Sequence, residues 1–313
     1  KAGKPYAIFN VGDKTGTIGA VWWDYAGATN KDILKNGLLD VGGDVSSYNG
    51  KMQLTVKGLA PASSADMTLF EKRSKYEPIE MCAHFIDYSR WYENETLKNL
   101  ADKIVGSYPG FYTKPAATGM HHAFKYGLLE HTLQMLETGE KLFELPFYSE
   151  ALNKDYCMFG LMFHDFCKIF EYGDGPDFKR TTLGIMVPHI PKMAAIIEKE
   201  GCKLDLNQEL ITYLQAIVLS HHRMLEWGSP CKPSTPEALF VHYVDNLHGD
   251  VFGVLQKLES DTGSDETVKH GYGDQAYTIV KKRFDKVLKD GGYSDTVGIS
   301  DESSGEENSL GGF

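Results

Sequence analysis

The chain lacks most of what would mark a membrane, secreted or nucleotide-cradling protein. Its apolar runs fall well short of the roughly 20 residues needed to span a bilayer, and no charged-then-apolar leader opens it. A cytoplasmic protein is expected. Cysteine is scarce: five residues, at 82, 157, 167, 202 and 231, an odd number without a CxxC spacing. This argues against a disulfide framework and against a zinc ribbon. There is no P-loop, no GxGxxG placed after a strand and no internal repeat, so P-loop ATP chemistry and a Rossmann cofactor are not expected. Positive charge is also short, with 32 Lys and Arg against 43 acids and a formal net charge of -11. Because Lys and Arg dominate phosphate affinity, this argues against a sequence-independent DNA coat.

The charge deficit is uneven. Residues 1–60 hold seven Lys against five Asp, whereas residues 285–313 hold two Lys against seven acids. The terminal stretch DESSGEENSLGG, poor in apolar residues, is expected to be disordered or loosely docked.

What is present can bury a large core: 313 residues, 42% hydrophobic, enough for two domains. From 4 to 60 the pattern is β, with YAIFNV, the turn GDKTGT, IGAVWW and DVSSYNGKMQLTVKGLA, in which Asn49-Gly50 marks a hairpin. From about 66 onward the period is helical. Helices are expected near 66–74, 78–87, 93–107, 121–143, 150–171, 182–199, 206–221, 234–259 and 274–289.

Within LMFHDFCKIFEYGD, residues 161–174, His164 and Asp165 sit side by side in an apolar run with Lys168 three to four residues on. On a helix all three groups reach one patch. They have company: nine of the eleven histidines lie between 121 and 248. The gaps His131 to His164 to His189 to His221, and His222 to Asp245, each match about one helix plus its connection, so successive helices deliver ligands to one centre. Imidazoles with carboxylates suit Mn, Fe, Co, Ni or Zn, and Asp165 is the natural bridge between two ions. Adjacent His221 and His222 point to a helix end, because neighbours inside a helix diverge by about 100°.

These residues carry a resemblance. The series His131, His164-Asp165, Asp245 resembles the H…HD…D signature of the HD-domain metal-dependent phosphohydrolases, and His189, His221 and His222 resemble its two-metal versions. KPAATGMHHAFKYGLLEHTLQML, LMFHDFCKIFE, IVLSHHRMLEWGSPCKPSTPEALFVHYVDNL and GKPYAIFNVGDKTGTIGAVWWD together resemble the YhaM-type 3′→5′ exoribonucleases, an OB fold followed by an HD domain, over about residues 3–260. The resemblance implies a mainly α protein: an all-α HD-domain helical bundle preceded by a small OB-like β-barrel. The chain enters that barrel past its opening strand, so an incomplete barrel is expected. The domain boundaries that follow are 1–61 for the OB-like part, 62–110 for a helical linker, 111–260 for the HD domain, and 261–313 for a C-terminal helix with the acidic tail.

The resemblance further implies a manganese-preferring exonuclease acting on single-stranded RNA, or DNA, from the 3′ end. Two divalent ions would be held by His131, His164, Asp165, His189, His221, His222 and Asp245. Asp165 and Lys168 would act in catalysis, Lys168 as a phosphate contact or proton donor. His121 and His122 match the family's paired histidines and either touch substrate or cap a helix; His242 either orients Asp245 or is a core histidine. Trp22 and Trp23, being adjacent on a strand, point to opposite faces, so one is free to stack a base. A homo-oligomer would pool the weak basic surface. Two other readings stay open: an HD-type hydrolase of a small or cyclic nucleotide, since a fold does not decide a substrate, and a non-catalytic nucleic-acid-binding protein.

Overall fold

A computed structural model describes residues 5–23, 25, 38–62, 66, 69–118, 121–174, 178–261, 266–271 and 276–281. The expected acidic tail, and all of 274–289 except 276–281, lie outside them.

The chain begins with strands β1 (Ala7–Asp13), β2 (Gly16–Trp22), β3 (Leu39–Tyr48) and β4 (Lys51–Pro61). Asp13 shapes the first turn, its carboxylate accepting from the Thr15 and Gly16 amides. Asn49 and Gly50, both left-handed at φ 50° and 75°, close the β3–β4 hairpin. That geometry matches the right-handed twist of the strands and is open to Asn-Gly at little cost. β2 pairs parallel with β4, and the sheet order is β1-β2-β4-β3. Among the described residues β1 and β3 remain unpaired edges, so the expected barrel is an open sheet; the register gives no β1–β3 ladder to close it. Its core is small: Ala20, Trp22 and Val56.

From Pro78 to Gly253 the described residues are mainly helical. The helices are α1 (Pro78–Ser89), α2 (Glu95–Ser107), α3 (Gly127–Phe143), α4 (Pro146–Ala151), α5 (Lys154–Phe163), α6 (Lys168–Glu171), α7 (Thr182–Met186), α8 (His189–Lys203), α9 (Gln208–Leu219) and α10 (Pro236–Ser260). Several begin at asparagines whose side chains accept the orphan amides of the first turn: Asn94 for α2, Asn153 for α5, Asn207 for α9. They enclose one aromatic-rich core, in which Phe85, Phe111 and Phe166 stack at 4.7 and 4.8 Å. Residues 254–313 form a separate unit in which β5 (Thr267–His270) pairs antiparallel with β6 (Tyr277–Val280).

Five helical expectations are corrected. Residues 70–74 form no helix, and Arg73 bridges to Lys125 instead. The 121–143 helix starts at Gly127, because His122 and Tyr126 hold positive φ. The 150–171 helix is three pieces, interrupted by the Asn153 cap and by tight turns over 163–168. The 182–199 helix breaks at Val187-Pro188, and within 274–289 the described residues 277–280 are a strand.

Candidate metal centre

Local breaks in the helices aim the functional side chains. α5 ends at Phe163, and the chain then turns through i→i+3 bonds, Phe166 to Phe163 and Lys168 to Asp165. The turn lets His164 and Asp165 face the same interior, which two neighbours on a continuous helix would not do. His221 and His222 follow the end of α9 at Leu219, as their adjacency predicts. His189 opens α8, where the Glu171 carboxylate accepts both its backbone amide at 2.5 Å and its Nδ1–H at 2.8 Å.

Two donor groups share Asp165, and a third, His121, His122 and His131, lies beside them. On one side Asp165 Oδ2 lies 3.3 Å from His164 Nε2 and 3.7 Å from His131 Nε2. Asp245 Oδ1 completes this side at 3.4 Å from His131 and 3.7 Å from His164. On the other side Asp165 Oδ1 lies 3.1 Å from His189 Nε2 and 3.7 Å from His221 Nε2, with His222 close enough to join the set. Lys168 Nζ pairs with Asp165 Oδ2 at 2.5 Å and is partly buried.

The donors fit a divalent ion on grounds internal to the structure. A backbone carbonyl can only accept, so three rings have a fixed tautomer: His164 Nδ1 donates to Leu161 O, His221 Nδ1 to Val218 O, and His222 Nδ1 to Trp227 O. With the Glu171 bond to His189, four imidazoles are left with bare Nε2 lone pairs pointing inward. His189 Nε2, His221 Nε2 and Asp165 Oδ1 are buried without hydrogen-bond partners, and His131 and His164 bring their Nε2 atoms to 3.3 Å. Lone pairs converging in a dry interior are costly unless a cation takes them.

Electrostatics agrees. Burial lowers the pKa of His221 and of His222, keeping both neutral and able to ligate. Burial would raise Asp165, yet the Lys168 ammonium and His164 hold its carboxyl well below the usual range. Burial also works against a charged His164, but Asp165 and Asp245 outweigh it and lift its pKa. Two carboxylates around one ring call for positive charge, which an ion supplies as well as a proton does.

Other expected residues are placed differently. His122 is fully buried, so it is not open to a substrate, and its Nε2 meets Gln134 Oε1 at 3.0 Å. His121 stands beside it, 5.3 Å from the His131 ring centre. His242 donates Nδ1–H to His221 O at 2.7 Å, fixing the backbone of a candidate ligand rather than Asp245. Trp22 is 8% exposed, packed in the sheet, whereas Trp23 is 51% exposed beside Tyr6. Sequence reasoning missed Glu171's partnership with His189 and the carbonyls of Leu161, Val218 and Trp227. No residue type signals a carbonyl; Glu171, an acid buried next to an HD dyad, is the one that could have been found.

The HD domain family matches residues 128–250, which contain all seven of these donors. A protein named "3'-5' exoribonuclease YhaM", from Geobacillus sp. (strain WCH70), is 31% identical over 291 residues, covering 91% of this chain and 87% of its own. This chain belongs to the YhaM-type family of HD-domain proteins. No solved structure matches it. As a YhaM-type HD protein it is a metal-dependent phosphohydrolase, and among its described residues no helix is long and apolar enough to cross a membrane.

Proposed function

We propose that this phosphohydrolase is a 3′→5′ exonuclease on single-stranded RNA, or DNA, and that it works with two divalent ions, manganese foremost. The observation that carries the reading is the division of Asp165: one oxygen belongs to the His131, His164, Asp245 group and the other to the His189, His221, His222 group. Bound there, two ions would lower the pKa of a water and offset charge on a phosphate under in-line attack. Iron, cobalt, nickel and zinc suit the same donors, and availability decides among them.

The chain's own groups do the rest. Asp165 and Lys168 are the catalytic pair. Lys168 keeps its proton, because Asp165 beside it outweighs the effect of burial, and its Nζ–H groups donate to a phosphate oxygen and then to the leaving oxygen. His121 lines the approach to His131. In the sheet, Trp23 and Tyr6 offer half-exposed faces on which bases stack, a mode that needs no sequence preference. The working division of the chain is 1–61 for substrate capture, 62–110 as linker, 111–260 for chemistry and 261–313 as an appendage; a homo-oligomer would multiply the weak grip of each sheet. The relative's printed name, an exoribonuclease, supports the polymeric substrate.

The test is hydrolysis of a 5′-end-labelled single-stranded RNA by metal-stripped protein, with Mn²⁺, Mg²⁺, Zn²⁺ or nothing restored, beside Asp165→Ala. The expected result is a Mn²⁺-dependent ladder shortening from the 3′ end, absent in the variant. Silence on RNA with turnover of a small or cyclic nucleotide would move the activity to that class. Binding of RNA without turnover of any substrate would leave a non-catalytic binder.

A further inference from the structure

Among the candidate imidazole ligands, His131 stands apart. His164, His189, His221 and His222 each donate the nitrogen facing away from the centre to a named acceptor. His131 does not: its Nδ1 is fully buried and without a partner. A ligating histidine ordinarily donates that far N–H, which fixes its ring and raises its basicity. Leaving a buried donor unmet costs about 1–3 kcal/mol.

The rings of His121 and His122 both lie 5.3 Å from that of His131, and His122 is the one held by further bonds as an acceptor. His122 and His131 bring imidazole nitrogens within 4.8 Å. That separation is spanned by one water or closed by a modest ring rotation. His122 is built as an acceptor. Gln134 Nε2 donates to Glu130 Oε1 at 3.3 Å, which turns the Gln134 carbonyl toward His122 Nε2 at 3.0 Å. His122 Nε2 therefore carries the proton and its Nδ1 a lone pair, and that Nδ1 is buried without a partner.

The backbone is committed to this placement. His122 sits at φ 53°, a left-handed conformation that costs an ordinary residue about 1 kcal/mol. It is held there by amides of Ala116 and Phe124 on its carbonyl. Gly127 makes room, since a Cβ there would lie 2.1 Å from His122 O. Phe252 stacks on the ring at 3.9 Å, 12° from parallel. Strain retained around a fully buried, unpartnered nitrogen points to a role for that nitrogen.

We propose that His122 is a positioning residue: through the chain Glu130–Gln134–His122 it accepts the Nδ1–H of His131 and holds His131 Nε2 toward the ion of the first donor group. The inference rests on the two-ion reading above. The same ring is thereby neither a substrate contact nor a ligand.

The test is Mn²⁺ binding to the full chain, followed through the EPR signal of free Mn²⁺, for wild type, His122→Leu and His122→Gln, with thermal melting alongside. Wild type is expected to bind two ions. His122→Leu should weaken one of them roughly 10- to 100-fold while both still bind at saturation. His122→Gln, whose side-chain carbonyl accepts a hydrogen bond, should recover most of that loss. Wild-type affinity in both variants would overturn the proposal in favour of substrate contact or packing, and loss of an ion at saturation would overturn it in favour of direct ligation. Should His122→Leu melt far below wild type, Gln134→Leu serves instead, since it leaves the ring but frees its tautomer. A smaller weakening of the same ion is then expected, and unchanged affinity would again overturn the role. Wild type that binds no Mn²⁺ would sink the two-ion centre itself, an outcome separate from these.

Discussion

In the helical region a set of aromatic rings is packed inside, though Phe147, Tyr243 and Trp227 are exposed, and four of the imidazoles near the centre are tied down. Phe85, Phe111 and Phe166 stack in the core, while His164, His189, His221 and His222 each have a fixed outer hydrogen bond. In the N-terminal sheet the order is reversed. Trp23, Tyr6 and Tyr48 are exposed, Ile8 is 70% exposed, and among the described residues Ala20, Trp22 and Val56 form a small buried nucleus. On the function proposed, the difference is between a region preorganised for chemistry, where a shift of about 1 Å is expensive, and a surface suited to gripping a chain of varied sequence, where exposed rings suffice.

The sharpest way to break the comparison is through the core. Phe166→Ala should destabilise the helical region by about 3–5 kcal/mol, lowering the denaturant midpoint and metal retention together. Trp22→Ala should disturb the sheet while leaving metal content unchanged. If Trp22→Ala released metal equally, the two regions would be one cooperative device. Next in size, Lys168→Met should lower kcat by roughly 10²- to 10³-fold, as for loss of one charge-stabilising donor, with metal content preserved. An unchanged kcat would remove Lys168 from the chemistry.

Glu171→Ala should release His189 from its only fixed orientation and weaken metal binding roughly 10- to 100-fold, seen by dialysis against a graded chelator. Stripping the ions from wild type should lower its melting temperature, since ligand at 100 times Kd adds about 2.7 kcal/mol, and the sheet variant should show the same shift. The smallest effect belongs to the sheet surface. Trp23→Ala should weaken long single strands by about 1–3 kcal/mol and leave dinucleotide turnover unchanged; equal loss on both lengths would refute stacking.

The sequence was most readable where one periodicity governed. α1, α2, α9 and α10 lie close to the windows their apolar spacing predicts, and Asn49-Gly50 announced its hairpin. It was least readable at the breaks. His164 and Asp165 look helical because every neighbour is apolar, yet the site needs both to face inward, and tertiary packing imposes a turn that no local propensity signals. His122 and Tyr126 hold positive φ against their own preference, which shortened the expected α3 by six residues. The candidate ligands were legible as a cluster because histidine and aspartate are chemically specific. The carbonyls that fix them were not, since every residue has one. The open sheet agrees with the incomplete barrel expected, although strand pattern by itself records faces and not closure.

The central claim is that the single carboxylate of Asp165 serves two ions. The most direct measurement is Mn²⁺ stoichiometry with low-temperature EPR on wild type and Asp165→Asn. Two spin-coupled Mn²⁺ per chain in wild type, and loss of both the coupling and tight retention of either ion in Asp165→Asn, is the predicted result. Two ions retained at wild-type affinity in Asp165→Asn would contradict it.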